Sequence, residues 1–376
     1  MEFVISNGEL KTAVIEASKA IAPKNLLPIM DCVRIDASDD CSVIVSACSQ
    51  ELAVSVVRKA VSVAEAGTIC LTCKTLLSGL KELPEQLLTI TDGKTAATIE
   101  HTKGRFCIPT SDANDWPATS MVDDNSSSSL SVDAAIFADA LSRASQVAAA
   151  DDLRPIISGV HIEVSDDKAY LVGTDRNSLA AIVIKPNAAD DGLAVTLPQK
   201  AIQTITTTKM ADDETIEIIT DGKMLQAKFS ECGKTINCRL VEGKYPNWRA
   251  VIPKDFSGSA EILPQELIEV ANRAKVFTSS SQLVKLKIGY NSISITSQDI
   301  DYGKFAEESI TCAATEECTI GLAADRLATV LAISSTAVDM RAKIQYSSPS
   351  RPILIKPVSQ PEDMAICAML MPMLLN

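Results

Sequence analysis

Residues 33–40 read VRIDASDD, and residues 160–167 read VHIEVSDD. Five of the eight letters agree, and the change from Asp36 to Glu163 keeps its charge. Each stretch alternates apolar and polar residues and then stops on paired aspartates, as a half-buried strand does when it runs into a turn. The same strand and turn written twice, 127 positions apart, point to a repeated module.

Other marks keep nearly the same interval. TDGK occurs at 91–94 and at 220–223, 129 apart, and Trp116-Pro117 and Tyr245-Pro246 are separated equally. A helical pattern precedes each opening strand. Residues 8–21 place Leu10, Val14, Ala17 and Ile21 on one face, and residues 134–147 do so with Ile136, Phe137, Ala140, Leu141, Ala144 and Val147. A fainter third copy starts with a helix at 264–277, where Pro264 suits the first turn. Alternating strands at 283–288 and 292–297 follow it, then a second helix at 323–333. The counterparts of that second helix are 74–83 and 200–209, the latter rich in Thr. Three modules result, 1–122, 128–253 and 255–376, joined by the polar stretches 123–130 and 253–259. The expected class is α+β, with two helices per module packed on antiparallel sheet.

Composition narrows the function. The chain has 376 residues, 46% of them hydrophobic, enough for two or three cores. No apolar run is long enough to span a bilayer, and MEFVISNGEL lacks the pattern of a secretory signal. The 11 cysteines are odd in number and scattered, which fits reduced thiols in a cytoplasmic protein. Cys70 and Cys73 form a lone CxxC, and His101 and His161 lack ligand spacing, so no metal or other cofactor is expected. Motifs for nucleotide binding, serine hydrolysis or metalloprotease chemistry are absent. The Asp pairs at 39–40, 123–124, 151–152, 166–167, 190–191 and 212–213 fall between strands or in polar joints, where aspartate favours turns; an Mg²⁺-using enzyme is the distant alternative. A net charge of −13 opposes a surface that embraces nucleic acid everywhere, yet permits a basic lining on one face.

Residues 153–180, LRPIISGVHIEVSDDKAYLVGTDRNSLA, resemble the middle domain of the bacterial DNA polymerase III beta subunit, the sliding clamp family. The resemblance lies in Arg154, Ile156, Ile157 and Gly159, then Thr174-Asp175 with Leu179-Ala180. GKYPNWRAVIP (243–253), LLPIMDCVRI (26–35) and the terminal Met371-Pro372-Met373 match further family segments in the right order. What the resemblance implies is three tandem DNA-clamp domains, two chains closing head to tail into a ring, and duplex DNA threaded through it without sequence preference. Such a non-catalytic processivity factor would tether the replicative polymerase in the cytoplasm, at the nucleoid. Its partners would be the polymerase catalytic subunit, the clamp loader and other clamp-motif proteins, with no membrane.

The resemblance also places sites. DNA would meet Lys24, Lys74, Arg143, Lys200, Arg273 and Lys275, with Lys11, Lys19, Lys81, Lys209 and Arg326 as further helical candidates. Asp151 would repel phosphate where the family has a loop contact. Partner peptides would enter a cleft of Arg154, Ile156, Ile157, Thr174, Leu179, Pro246, Val251, Met369, Met371, Pro372 and Met373. There Arg176, Asn177 and Ser178 replace the family's usual Gly-His-Arg, and Leu374 its terminal Arg. Ring closure would use Phe106 and Ile108 of one chain against Val276 and Phe277 of the next. The alternatives are a peptide-binding adaptor that never encircles DNA, and a specialised second clamp outside bulk replication.

Overall fold

The computed structural model describes residues 1–93, 95–118, 122–123, 127–149, 154–336 and 340–375. One order of elements occurs three times: a strand, a helix, five strands, a second helix and three strands. The helices are α1 (Asn7–Ser18), α2 (Cys73–Glu82), α3 (Ala134–Ser145), α4 (Gln199–Thr206), α5 (Pro264–Lys275) and α6 (Ala324–Ser334).

Local chemistry sets their ends. The Ser6 hydroxyl accepts from the Glu9 amide at 3.2 Å and starts α1, which buries Leu10, Ala13, Val14 and Ala17. α4 stops three residues short of the expected 209. There the Thr207 hydroxyl donates to the Gln203 carbonyl at 2.7 Å and Thr208 to Thr204 at 2.8 Å, so side chains take over the last carbonyls. The repeated aspartates make the expected turn: Asp166 and Asp167 have φ of 53° and 56°, the left-handed pair of a two-residue hairpin joining Val160–Ser165 to Lys168–Thr174. Each repeat opens on a strand rather than on a helix. These leading strands, Glu2–Ser6, Ser128–Asp133 and Gly258–Ile262, are only five or six residues long and pair antiparallel within their own repeat.

The chain divides into two compact units. The first comprises Met1–Ala135, Asn187–Ala189 and Gln203–Leu240 and carries a fourteen-stranded sheet. Within it Leu52–Lys59 pairs with Lys234–Arg239, Ala53 opposite Asn237. The second comprises Ile136–Pro186, Asp190–Ile202 and Val241–Asn376 and carries a nine-stranded and a four-stranded sheet. There Ser178–Ile184 pairs with Met364–Leu370, Leu179 opposite Met369. The middle repeat thus lends half of itself to each unit. Gly173 lets α3 come close to the sheet, since a Cβ there would run into the Ala144 carbonyl.

The first unit holds a buried charge cluster. Lys234, 1% exposed, donates to Glu16 at 2.7 Å and to the Thr208 hydroxyl at 2.8 Å. Burial pushes the Glu16 carboxyl up, but hydrogen bonds from Lys19 and Lys234 and their charges outweigh it and hold its pKa below the usual value. The cluster fastens α1 to the strand Lys234–Arg239 of the middle repeat.

Candidate functional site

In the second unit, one face of the nine-stranded sheet presents Val172, Leu179, Ala181 and Met369, and Tyr245 and Trp248 cover it. Ala149, Ile157 and Leu354 complete the cluster, with Ile156, Ile252 and Phe256 packed beside it. The cover is fastened by polar contacts. The Tyr245 hydroxyl donates to the Val172 carbonyl at 3.2 Å, and its ring stacks on His161 at 4.4 Å. The Arg249 guanidinium lies 4.2 Å over Trp248 and 4.6 Å over Tyr170, and binds Glu163 at 2.8 Å. Burial pulls the His161 pKa down to about 4, so the ring is neutral at physiological pH.

The proposed cleft residues fall into three groups. Ile157, Leu179 and Met369 are buried, and Ile156 lies partly buried beside them. Arg154, Pro246, Val251 and Met371 are exposed, on segments that edge the cluster. Thr174 is buried and closes a turn: its hydroxyl donates to the Ser178 carbonyl at 2.7 Å and accepts from the Arg176 amide at 3.2 Å. The Met371 amide donates to Asn177 at 2.7 Å, so the C-terminal tail is laced to that turn. Pro372 is half-buried, and Met373 bridges to Gly321. Sequence reasoning missed Tyr245 and Trp248 as cleft builders, although both stand in the 243–253 segment.

The first unit builds the equivalent positions differently. The positions of Val172, Leu179, Ala181, Met369 and Tyr245 correspond in the first unit to Ser46, Ala53, Ser55, Asn237 and Trp116. That floor is small and polar, and a cavity of about 220 Å³ remains beneath Trp116.

Basic residues sort in the same way. Lys24, Lys74, Lys81, Lys209 and Lys275 are exposed, while Lys11 and Lys200 are half-buried. Lys19 is bound by Glu16 and by the Thr207 carbonyl at 2.6 Å, just past the end of α4. Arg143 is bound by Asp139 and by the carbonyls of Ile333 at 2.6 Å and Ser335 at 2.8 Å, at the end of α6. Both side chains thus close a helix C-terminus across a junction between repeats. Arg273 binds Glu308 at 2.7 Å but keeps 54% of its side chain exposed. Asp151 lies outside the described residues.

Two strands leave backbone unpaired along one side. The strand Gly104–Ser111 pairs with Ala96–His101 along most of its length, but pairs on its other side only through Thr110 and Ser111. The Ile108 side chain, at 1% exposure, belongs to the core; Phe106 is half-buried against Gly79. In the second unit Lys304–Thr311 is the edge of the four-stranded sheet. Val276 and Phe277 are exposed beyond α5, and so is Phe305 on that edge, an aromatic the sequence reading left out.

A thrice-repeated α+β chain with sheets shared between repeats has the architecture of a DNA clamp. Models of the DNA polymerase III beta subunit match nearly all of it: the N-terminal domain at residues 1–120, the central domain at 131–247 and the C-terminal domain at 249–374. The chain belongs to that family, the sliding clamps, and the adaptor reading is not favoured. Curated relatives agree. A beta sliding clamp of Streptococcus pneumoniae is 24% identical over 383 residues, covering 96% of this chain and 97% of that one. One from Staphylococcus aureus is 22% identical, covering 82% and 83%. The fold matches DNA polymerase III subunit beta of Pseudomonas aeruginosa with a TM-score of 0.91 at 20% identity, and that of Thermotoga maritima with 0.86 at 21%, each over 100% of both chains. No helix among the described residues is long and apolar enough to cross a membrane.

Proposed function

We propose that two copies join head to tail into a closed ring that holds the replicative polymerase on duplex DNA, without catalysis of its own, in the cytoplasm at the nucleoid. A ring resolves a conflict. Strong phosphate binding would stop sliding, whereas weak binding alone would let the protein escape. Enclosure retains it while contacts stay weak and sequence-independent.

The observation that carries this reading is the repeat's own seam. Twice within the chain, the third strand after the first helix of one module pairs with the last strand of the next: Leu52 opposite Cys238, and Ser178 opposite Leu370. The third set of equivalent edges, Lys304–Thr311 and Gly104–Ser111, is the pair left open. Pairing them between copies in the same register sets Lys304 opposite Ile108, Phe305 opposite Cys107, Ala306 opposite Phe106 and Glu307 opposite Arg105. An opposite-charge pair emerges at this seam from register alone. Arg273 stands at the position of Arg143, so it is assigned to the end of α2 in the adjoining copy rather than to DNA. Exposed Lys24, Lys74 and Lys275, with Lys200, would meet the phosphates. The polymerase catalytic subunit, clamp loader and other proteins would dock peptides at the cleft of the second unit.

Sedimentation equilibrium at micromolar concentration tests closure. The ring predicts the mass of two chains; a single-chain mass contradicts it.

A further inference from the structure

We infer that the peptide received by this cleft carries a carboxylate, and that Arg326 receives it. The inference rests on the cleft reading and goes beyond it by assigning the chemistry of the partner. Arg326 leaves α6 in its first turn and donates through Nε to Asp175 at 2.9 Å. That single bond fixes the plane of the guanidinium. Its two Nη groups hydrogen-bond to nothing among the described residues, and 38% of the side chain is exposed. A guanidinium held through Nε, with neither Nη group bonded within the described residues, can still receive a carboxylate.

The neighbouring acids keep their charge but have other donors. Asp175 Oδ1 is taken by the amides of Asn177 at 3.0 Å and Ser178 at 2.5 Å, leaving Oδ2 for Arg326. Asp325 accepts the Arg326 amide at 2.7 Å and, with the Gln282 amide suitably turned, two further hydrogen bonds at 2.9 Å. Both carboxylates are satisfied, whereas the arginine is not.

Its place fits the cleft. Asp175, Ser178, Asp325 and Arg326 line a cavity of about 250 Å³ together with Ala149, and Ala149 also belongs to the aromatic-covered cluster. An apolar side chain at the cluster and a carboxylate at Arg326 can therefore come from one short peptide. Arg326 is thereby reassigned from the DNA face to partner recognition.

The test pans a library of acetylated, amidated heptapeptides, randomised at every position, on the wild-type dimer and on Arg326→Gln. A parallel library with free C-termini separates a side-chain carboxylate from a terminal one. Wild type should enrich Asp or Glu, or a free terminus, at a fixed distance from apolar residues, and Arg326→Gln should not. For one selected peptide, changing its acid to the amide should weaken binding about tenfold on wild type, by fluorescence anisotropy, and leave Arg326→Gln unaffected. Equal acid preference on both proteins, or apolar peptides selected without an acid, overturns the role of Arg326. If neither protein selects any peptide, the cleft reading fails and this inference falls with it.

Discussion

Acidification should loosen the second unit through one imidazole. His161 is buried beneath Tyr245, stacked at 4.4 Å with an interplanar angle of 6°, its Nδ1 lying 3.1 Å from the Thr196 hydroxyl. Its pKa falls from 6.5 to about 4, first because burial disfavours the cation; the nearby Glu163 charge and a backbone hydrogen bond at Val195 only partly oppose this. The folded state therefore binds fewer protons than the unfolded one between those values. Its stability contribution is complete above about pH 6.5 and is lost as pH falls toward 4. At pH 5.5 the loss is about 1.4 kcal/mol, and it levels off near 3 kcal/mol below pH 4. For a unit of this size, 1.4 kcal/mol is roughly 3–6 °C in Tm. Calorimetric melts of wild type and His161→Phe at pH 7.5, 6.5, 5.5 and 4.5 measure it. Phenylalanine keeps the stacking and removes the titration, so the variant should start lower and decline less between pH 6.5 and 4.5. Parallel pH profiles would refute the assignment.

Lys234→Met should destabilise the first unit by about 3 kcal/mol, since it strands the Glu16 carboxylate with Lys19 alone, and Lys234→Met with Glu16→Leu should recover part of that in the same melts. Leu179→Ala should cost about 2–5 kcal/mol by urea unfolding and weaken any peptide docked on the cluster, because Leu179 backs it rather than rims it. Neutralising Lys24, Lys74 and Lys275 together should flatten the salt dependence of DNA binding, by up to about 0.9 in slope for each phosphate no longer neutralised, while Arg143→Gln should lower thermal stability and leave that slope unchanged.

The repeat was legible because strand-turn pairs such as 33–40 and 160–167 carry their alternation in the letters. The leading strands were not, for Glu2–Ser6 offers five residues before a helix with a stronger signal. The cleft was half legible. The segments that bring Ile157, Leu179 and Met369 together can be read from the letters, but not that Tyr245 and Trp248 fold over them. Charge misled most. A basic residue on a helix reads alike whether it faces phosphate or a carbonyl, and only the close approach of α3 to the end of α6 shows that Arg143 is already occupied. Phe305 escaped notice because its meaning lies in an open sheet edge, which no local pattern encodes.

Complementary charge variants test the ring directly. Arg105→Glu and Glu307→Arg each set like charges opposite one another at both seams of a homodimer. At about 1 kcal/mol per seam, each should dissociate on the order of 30-fold more readily. Mixed in equal amounts, one chain of each kind restores an opposite pair at both seams. Sedimentation of the mixture should therefore recover the dimer that neither variant forms alone at the same concentration. A mixture no more dimeric than its components would contradict the seam and the closed ring built on it.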